Sequence, residues 1–169
     1  KVNGLNGHEY GWLGERLMQN GLNAAGIKDF EVVKRVKGSE LEGTRYIHVF
    51  LNEVPVHKAH SNAHYVIAES FVTLEEGSGL VHIAPAHGPE DFEAARRRNL
   101  PITDSVEING VFNSNGGAFS GMYWLDVSRK VIEELKRKNL LAHQGTILHR
   151  YPHCWRCGTP LIYRTDRQW

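Results

Sequence analysis

The 169-residue chain is poor in the features that would assign it quickly. It has two cysteines, Cys154 and Cys157, too close together for a disulfide framework, which points to a reducing compartment. Its formal net charge is only +1, so it does not grip nucleic acid through bulk positive charge. No apolar run reaches the length of a membrane span, and no membrane role is expected. There is no internal repeat and no low-complexity tract. The start, Lys1-Val2-Asn3-Gly4, is neither a signal peptide nor an initiator Met, and Arg167-Gln168-Trp169 carries no turn or stop signal. Both ends read as cut, so a segment of a longer chain is expected.

What is present suits a domain with a real core: 41% hydrophobic and 23% charged residues. Residues 30–36 alternate and are β-branched, which predicts a strand; residues 46–51, 65–68 and 79–84 predict three more, with a turn at 75–79. Residues 8–19 predict a helix that Gly11 and Gly14 weaken. Residues 57–64 read as a polar loop. Pro89 suits the first position of a helix, with Glu90 and Asp91 in its first turn and Pro101 beyond its end. Ile108-Asn109-Gly110-Val111 predicts a hairpin with a type I′ turn. Asp126 is the expected cap of a second helix reaching about Asn139. Its apolar stripe is Val127, Val131 and Leu135, and Glu133–Arg137 and Glu134–Lys138 are its expected surface pairs. Short strands with two good helices give an α+β fold, a bent sheet or β-barrel-like domain with a few peripheral helices.

The densest cluster of chemistry lies between Gly77 and Asp91: a strand, a sharp polar turn and a helix start. Such a junction exposes backbone N–H groups and holds side chains in fixed positions. His82 sits between Val81 and Ile83 and is expected on the opposite face from them. Asp91, in the first helical turn, is placed to hold an ammonium group by a charge-assisted hydrogen bond. Taken alone, Asp91 is also what any helix N-terminus favours, and His82 is also what a satisfied core histidine looks like.

Gly77-Ser78-Gly79-Leu80-Val81-His82-Ile83-Ala84-Pro85 followed by Gly88, Glu90 and Asp91 resembles the editing domain inserted into isoleucyl-tRNA synthetases. That family shows a Gly-Thr-Gly turn, Val-His-x-Ala-Pro, then a glycine and paired acids. Further matches follow in order: Lys37-Gly38-Ser39-Glu40-Leu41-Glu42-Gly43 with Tyr46, then Phe119-Ser120-Gly121-Met122. Next comes His149-Arg150-Tyr151-Pro152-His153-Cys154-Trp155-Arg156-Cys157 with Thr159-Pro160, and last Gln168-Trp169. The resemblance implies an N-terminally truncated editing domain over residues 1–148. Residues 149–169 are then an exit strand with the C-x-x-C segment, leading back to the catalytic domain.

The resemblance implies hydrolysis of mischarged Val-tRNA(Ile), and of valyl-adenylate before transfer, within an enzyme that joins isoleucine to tRNA(Ile) using ATP. One missing methylene is worth only about 1–3 kcal/mol in a binding pocket, for which the isoleucine–valine pair of this very family is the standing example. A second, smaller site must therefore clear valine. Asp91 and His82 carry over as its catalytic pair: Asp91 binding the α-amino group of the mischarged residue, His82 lining the pocket and setting specificity. His87 and Gly88 carry over as substrate-binding neighbours. No general base is assigned, because the ester is already activated and a positioned water suffices. Valyl-tRNA synthetases, which clear threonine, usually carry lysine where His82 stands. The alternatives are therefore that homologue and a non-catalytic RNA-binding module.

The family also carries a threonine-rich strand that walls the site. It belongs upstream of Lys1, and nothing in this chain matches it. Ser78 replaces the usual threonine. The ATP-binding signatures are absent from the chain, which leaves ATP and Mg²⁺ to the catalytic domain. Editing itself requires no cofactor. The resemblance further implies a monomeric, cytoplasmic enzyme whose partner here is the tRNA(Ile) acceptor end.

Three other groups remain. Cys154 and Cys157 make half of a tetrahedral zinc site; in some relatives an upstream C-x-x-C completes it, and His149 or His153 are substitutes within the chain. His57, His60 and His64 have the spacing of one helical face, against the plainer reading of a solvated loop. Arg96, Arg97 and Arg98, with Lys136, Arg137 and Lys138, offer phosphate contacts to the acceptor end or are simply solvated helix faces.

Overall fold

The structure is a computed structural model that describes residues 1–2, 10–146, 148 and 150–167. The chain divides into two units, each discontinuous in sequence. The first comprises Lys1–Val49, His64–His82 and Lys130–Gln144, the second Phe50–Ala63, Ile83–Arg129 and Gly145–Trp169.

In the first unit, helix α1 (Met18–Ala24) buries Leu22 with Val2 and Ile27. Leu13, Met18, Ala25 and Phe30 pack around them. The helix expected over 8–19 is displaced toward the C-terminus. Residues 10–14 are instead irregular and 15–17 form a turn, and the Gly14 amide donates to the Ser78 carbonyl at 2.7 Å, a contact a helix would forbid. Residues 8 and 9 lie outside the described residues. Gly38–Leu41 is a 3-10 turn, and the Glu40 carboxylate accepts the Lys37 N–H at 2.7 Å. Residues 43–46 and 64–66 form a short antiparallel pair through the Arg45–Tyr65 bridge. Its hydrogen bonds run from Gly43 N–H to Val66 O, Val66 N–H to Thr44 O and Tyr46 N–H to His64 O.

Among the described residues, the predicted strands 30–36 and 65–68 are each represented by a single bridge, and 46–51 and 79–84 by none. Among the described residues, 30–36 are bridged at Phe30, with Val2, and Glu31 N–H donates to Lys1 O, while Val32 and Val33 are exposed. Residues 79–84 run without a ladder, and Leu80 and Val81 are exposed. The plainer reading of His82 as a core histidine is not what the unit shows: His82 is exposed, and Val81 beside it is 59% exposed.

In the second unit, the expected polar loop from 57 onward begins inside helix α2 (Pro55–Ala59) and continues as a 3-10 turn, Ser61–Ala63. Pro55 occupies the start of α2, where its missing N–H costs nothing. Phe50 and Phe119 meet edge to face with centroids 5.4 Å apart, both buried. Helix α3 (Pro89–Arg97) starts at the expected proline and buries Ala94 and Ala95.

Residues 105–107, 110–113 and 121–124 form a small antiparallel meander through the Val106–Phe112 and Val111–Tyr123 bridges. The hairpin at Asn109-Gly110 is present, but its turn is not type I′. Only Gly110 has a positive φ (81°), Gly110 N–H donates to Glu107 O, and Glu107 N–H donates to Val111 O. That is a type I turn closed by a glycine bulge, with the Asn109 side chain accepting the Val111 N–H at 3.0 Å.

Helix α4 (Trp124–Arg137) has residues in both units and begins two residues before the expected cap, leaving Asp126 in its first turn. The Trp124 N–H donates to Gly110 O, so the meander supplies the partner that a cap would have provided. Val127 is buried and Val131 and Leu135 are half-buried, as the stripe predicts. Arg137 pairs with Glu134 at 2.7 Å rather than with Glu133, whose partner is Lys130 at 3.4 Å. The Arg137 hydrogen bond comes first among the influences that hold the Glu134 carboxyl below the usual range, Lys130 adding to it. Among the described residues no helix is long and apolar enough to cross a membrane.

Candidate functional site

Asp91, His87 and Gly88 lie in the second unit, at the junction that the sequence singles out. The chain turns at residues 84–87, closed by His87 N–H donating to Ala84 O at 2.9 Å. Gly88, extended at φ −146°, is the N-cap of α3, and Phe92 N–H returns to its carbonyl. Asp91 then stands third in the helix. Its Oδ2 accepts the Ala84 N–H at 3.0 Å, tying the helix start to the end of the preceding extended segment. The carboxylate is half-buried and one of its oxygens is fixed by the main chain. A Cβ on Gly88 would stand 3.0 Å from Asp91 Oδ2, so glycine leaves the carboxylate its room.

His87 is held by a second layer of contacts. Its Nδ1 lies 2.9 Å from the Tyr163 carbonyl; a carbonyl only accepts, so Nδ1 carries the proton in this contact. Its Nε2 faces Asp104 Oδ1 at 3.8 Å. Asp104 is itself committed. Its Oδ1 accepts the Val106 N–H at 3.0 Å, and its Oδ2 takes two donors from the Arg164 guanidinium. The Asn113 and Asn115 amides bind its carbonyl at 3.3 and 3.0 Å. Thr165 N–H donates to Ala86 O at 3.0 Å. Residues 163–165 therefore clasp the 84–87 turn. Asp104 and Arg164 were not singled out in sequence, because nothing local marks an ion pair sixty residues apart.

His82 lies in the first unit, in a row of rings. His82 and His48 have centroids 6.0 Å apart, His48 and His64 5.2 Å, and His64 and Tyr46 5.7 Å, the last pair stacked. His64, expected on a solvated loop, is instead buried at 8% exposure. Helix α2 ends at Ala59 and Ser61–Ala63 is a 3-10 turn, so no continuous helix carries His57, His60 and His64 on one face. Partial burial pushes the Tyr46 phenol above its ordinary pKa.

The cysteines occupy a hairpin in the second unit. Cys154 N–H donates to Thr159 O at 2.8 Å, Gly158 N–H to Cys154 O at 2.9 Å, and His153 bridges Pro160. Both thiols are free. Cys157 donates to Thr159 Oγ1 at 3.2 Å, and hydrogen bonding from Thr159, then Cys154, lowers its pKa to about 7. Among the described residues no group of three or more His, Cys, Asp or Glu side chains could hold a metal, so the two thiols stand without the further ligands a tetrahedral zinc site needs. His153 Nδ1 is engaged with the Tyr151 carbonyl, and His149 lies outside the described residues. Of the basic side chains, Arg96 is paired with Glu93 and Arg137 with Glu134, while Lys138 reaches the Val49 carbonyl.

No family model matches the chain. It is similar to the isoleucine–tRNA ligase of Pyrobaculum aerophilum, 52% identical over 161 residues and 95% of this chain. The isoleucine–tRNA ligase of Thermococcus kodakarensis is 46% identical over 173 residues, covering all of this chain. That of Methanocaldococcus jannaschii is 44% identical over 164 residues, covering 93%. The chain spans about 16% of the length of these relatives.

Proposed function

The chain belongs to the isoleucine–tRNA ligase family, and on that premise we propose that it is the editing region, which hydrolyses the ester of mischarged Val-tRNA(Ile). The observation that carries this reading is the Asp91 carboxylate. One oxygen is held by the Ala84 N–H at the start of α3, and the carboxylate is only half-buried. A carboxylate fixed in this way binds an α-ammonium group with little loss of side-chain freedom. The substrate is then held while a water oxygen adds to the ester carbonyl, and the ribose oxygen leaves with a proton. The products are valine and tRNA(Ile). Positioning supplies the acceleration, and no side chain need act as base. His82 has the role of setting which amino-acid side chain is accepted. His87 supports the turn through Tyr163 and Asp104.

The remaining assignments follow from the same reading. The whole enzyme attaches isoleucine to tRNA(Ile), with ATP and Mg²⁺ bound in its catalytic domain, and acts as a cytoplasmic monomer. The bridged segments belong to a bent sheet, residues 1–148 form the editing region, and 149–169 lead back to the catalytic domain. Cys154 and Cys157 join an upstream pair on zinc, which atomic absorption on the full-length enzyme decides.

The test uses the full-length enzyme, because the threonine-rich wall belongs outside this chain. Asp91→Ala is expected to abolish deacylation of Val-tRNA(Ile). Unchanged deacylation would sink the assignment, and a preference for Thr-tRNA(Val) would move the chain to the valyl homologue.

A further inference from the structure

His82 is exposed, and its neighbours Leu80 and Val81 are exposed as well, so the local chain does not hold its ring in place by burial. The ring contact comes from elsewhere in the same unit. His64 is the fixed end of the row. It is buried, stacked on Tyr46 with 27° between the planes, and the Tyr46 N–H bonded to its carbonyl at 3.1 Å sets the register. His48, two residues after Tyr46 on the same extended segment, leans on His64 at 5.2 Å and 31°. His82 leans on His48 at 6.0 Å and 58°. Tilted ring pairs at such distances are attractive and restrict the ring torsions of the exposed partner. The row does not converge as a metal site, since no group of three ligands does so among the described residues. The contacts that join the row are ring contacts.

We infer that His48, backed by His64, is a positioning residue for His82 and thereby for the discrimination of valine from isoleucine at the editing site. The inference rests on the editing reading and extends it to residues with no contact assigned to substrate. Valine and isoleucine differ by one methylene, so a small displacement of a wall ring is enough to admit the larger side chain. His48 carries no signal of its own in sequence. It becomes visible only when residues 48, 64 and 82 are brought together.

The experiment measures kcat/KM for deacylation of Val-tRNA(Ile) and of Ile-tRNA(Ile) by the full-length enzyme. The proteins are wild type, His48→Ala, His48→Phe and Asp91→Ala. His48→Ala is expected to raise hydrolysis of Ile-tRNA(Ile) and lower the valine-to-isoleucine ratio by about tenfold. His48→Phe, which keeps a ring against His82, is expected to retain the ratio. If His48→Ala slows both substrates equally, or changes neither, His48 is merely structural and the inference is overturned. The same holds if His48→Phe loses the ratio as fully as alanine does. The control separates the two levels: loss of activity in Asp91→Ala leaves the editing reading standing whatever His48 does, whereas unchanged activity there overturns both.

Discussion

The Asp91 carboxylate has two oxygens, and the fold commits Oδ2 to the Ala84 N–H. The arrangement depends on a glycine three residues earlier. Gly88→Ala suits the extended backbone at φ −146°, so the fold should survive, but its Cβ meets Asp91 Oδ2 at 3.0 Å. Deacylation by the full-length enzyme is therefore expected to fall about tenfold or more, with a melting temperature close to wild type. A collapse in stability instead would mean that Gly88 serves the backbone and not the acid. A second prediction at this scale concerns Cys157. Hydrogen bonds from Thr159 and Cys154 favour its thiolate and lower its pKa to about 7. The sign is that of an acid made stronger: thiolate predominates above about 7 and is lost below it. Alkylation by iodoacetamide, followed by mass spectrometry on metal-free protein, should reach half its maximal rate near pH 7. Thr159→Val should move that midpoint upward.

Among the elements, three helices stop in the same way. Gly26, Asn99 and Asn139 follow α1, α3 and α4 in the left-handed region. In each, the next amide returns five residues: Ile27 to Leu22, Leu100 to Ala95 and Leu140 to Leu135. An apolar pair accompanies each return, which closes the exposed carbonyls. Such stops are local, and the start of α3 at Pro89 is local too; both could be read from sequence. The start of α4 was not, because its first N–H is satisfied by Gly110 across the meander and not by a neighbouring side chain. The predicted strands fared similarly: alternation marks an extended segment but does not say how far a partner follows it. The turn at Ser114–Phe119 gives a direct test of element packing. Gly117 has φ 55°, and a Cβ there would lie 2.6 Å from Pro55 Cδ and 2.8 Å from Val54 Cα, against α2. Gly117→Ala should destabilise the protein by about 3 kcal/mol, read as a lowered denaturation midpoint. An unshifted midpoint would show that this packing is not maintained.

For the whole molecule, 52% identity with one relative covers 16% of that relative's length, so the chain matches one segment of a much longer isoleucine–tRNA ligase. The motifs that carried the resemblance have physical roles of two kinds. Glu40 in the Lys37-to-Gly43 motif caps a turn and Phe119 packs on Phe50, so those matches mark scaffolding. Asp91 and His82 are the residues to which the proposed editing reading gives the chemistry, and their residue types made them candidates in sequence. The groups that hold the neighbouring side chains, Arg164 with Asp104 beneath His87 and His48 beside His82, are set by long-range contacts and were not. The central claim is that this segment removes valine that the enzyme has wrongly attached. The most direct measurement is the amount of Val-tRNA(Ile) that the full-length enzyme accumulates when given valine, ATP and tRNA(Ile). With Asp91→Ala, valine is predicted to accumulate on the tRNA while charging with isoleucine is unaffected; a variant that leaves the tRNA as free of valine as wild type does would contradict the account.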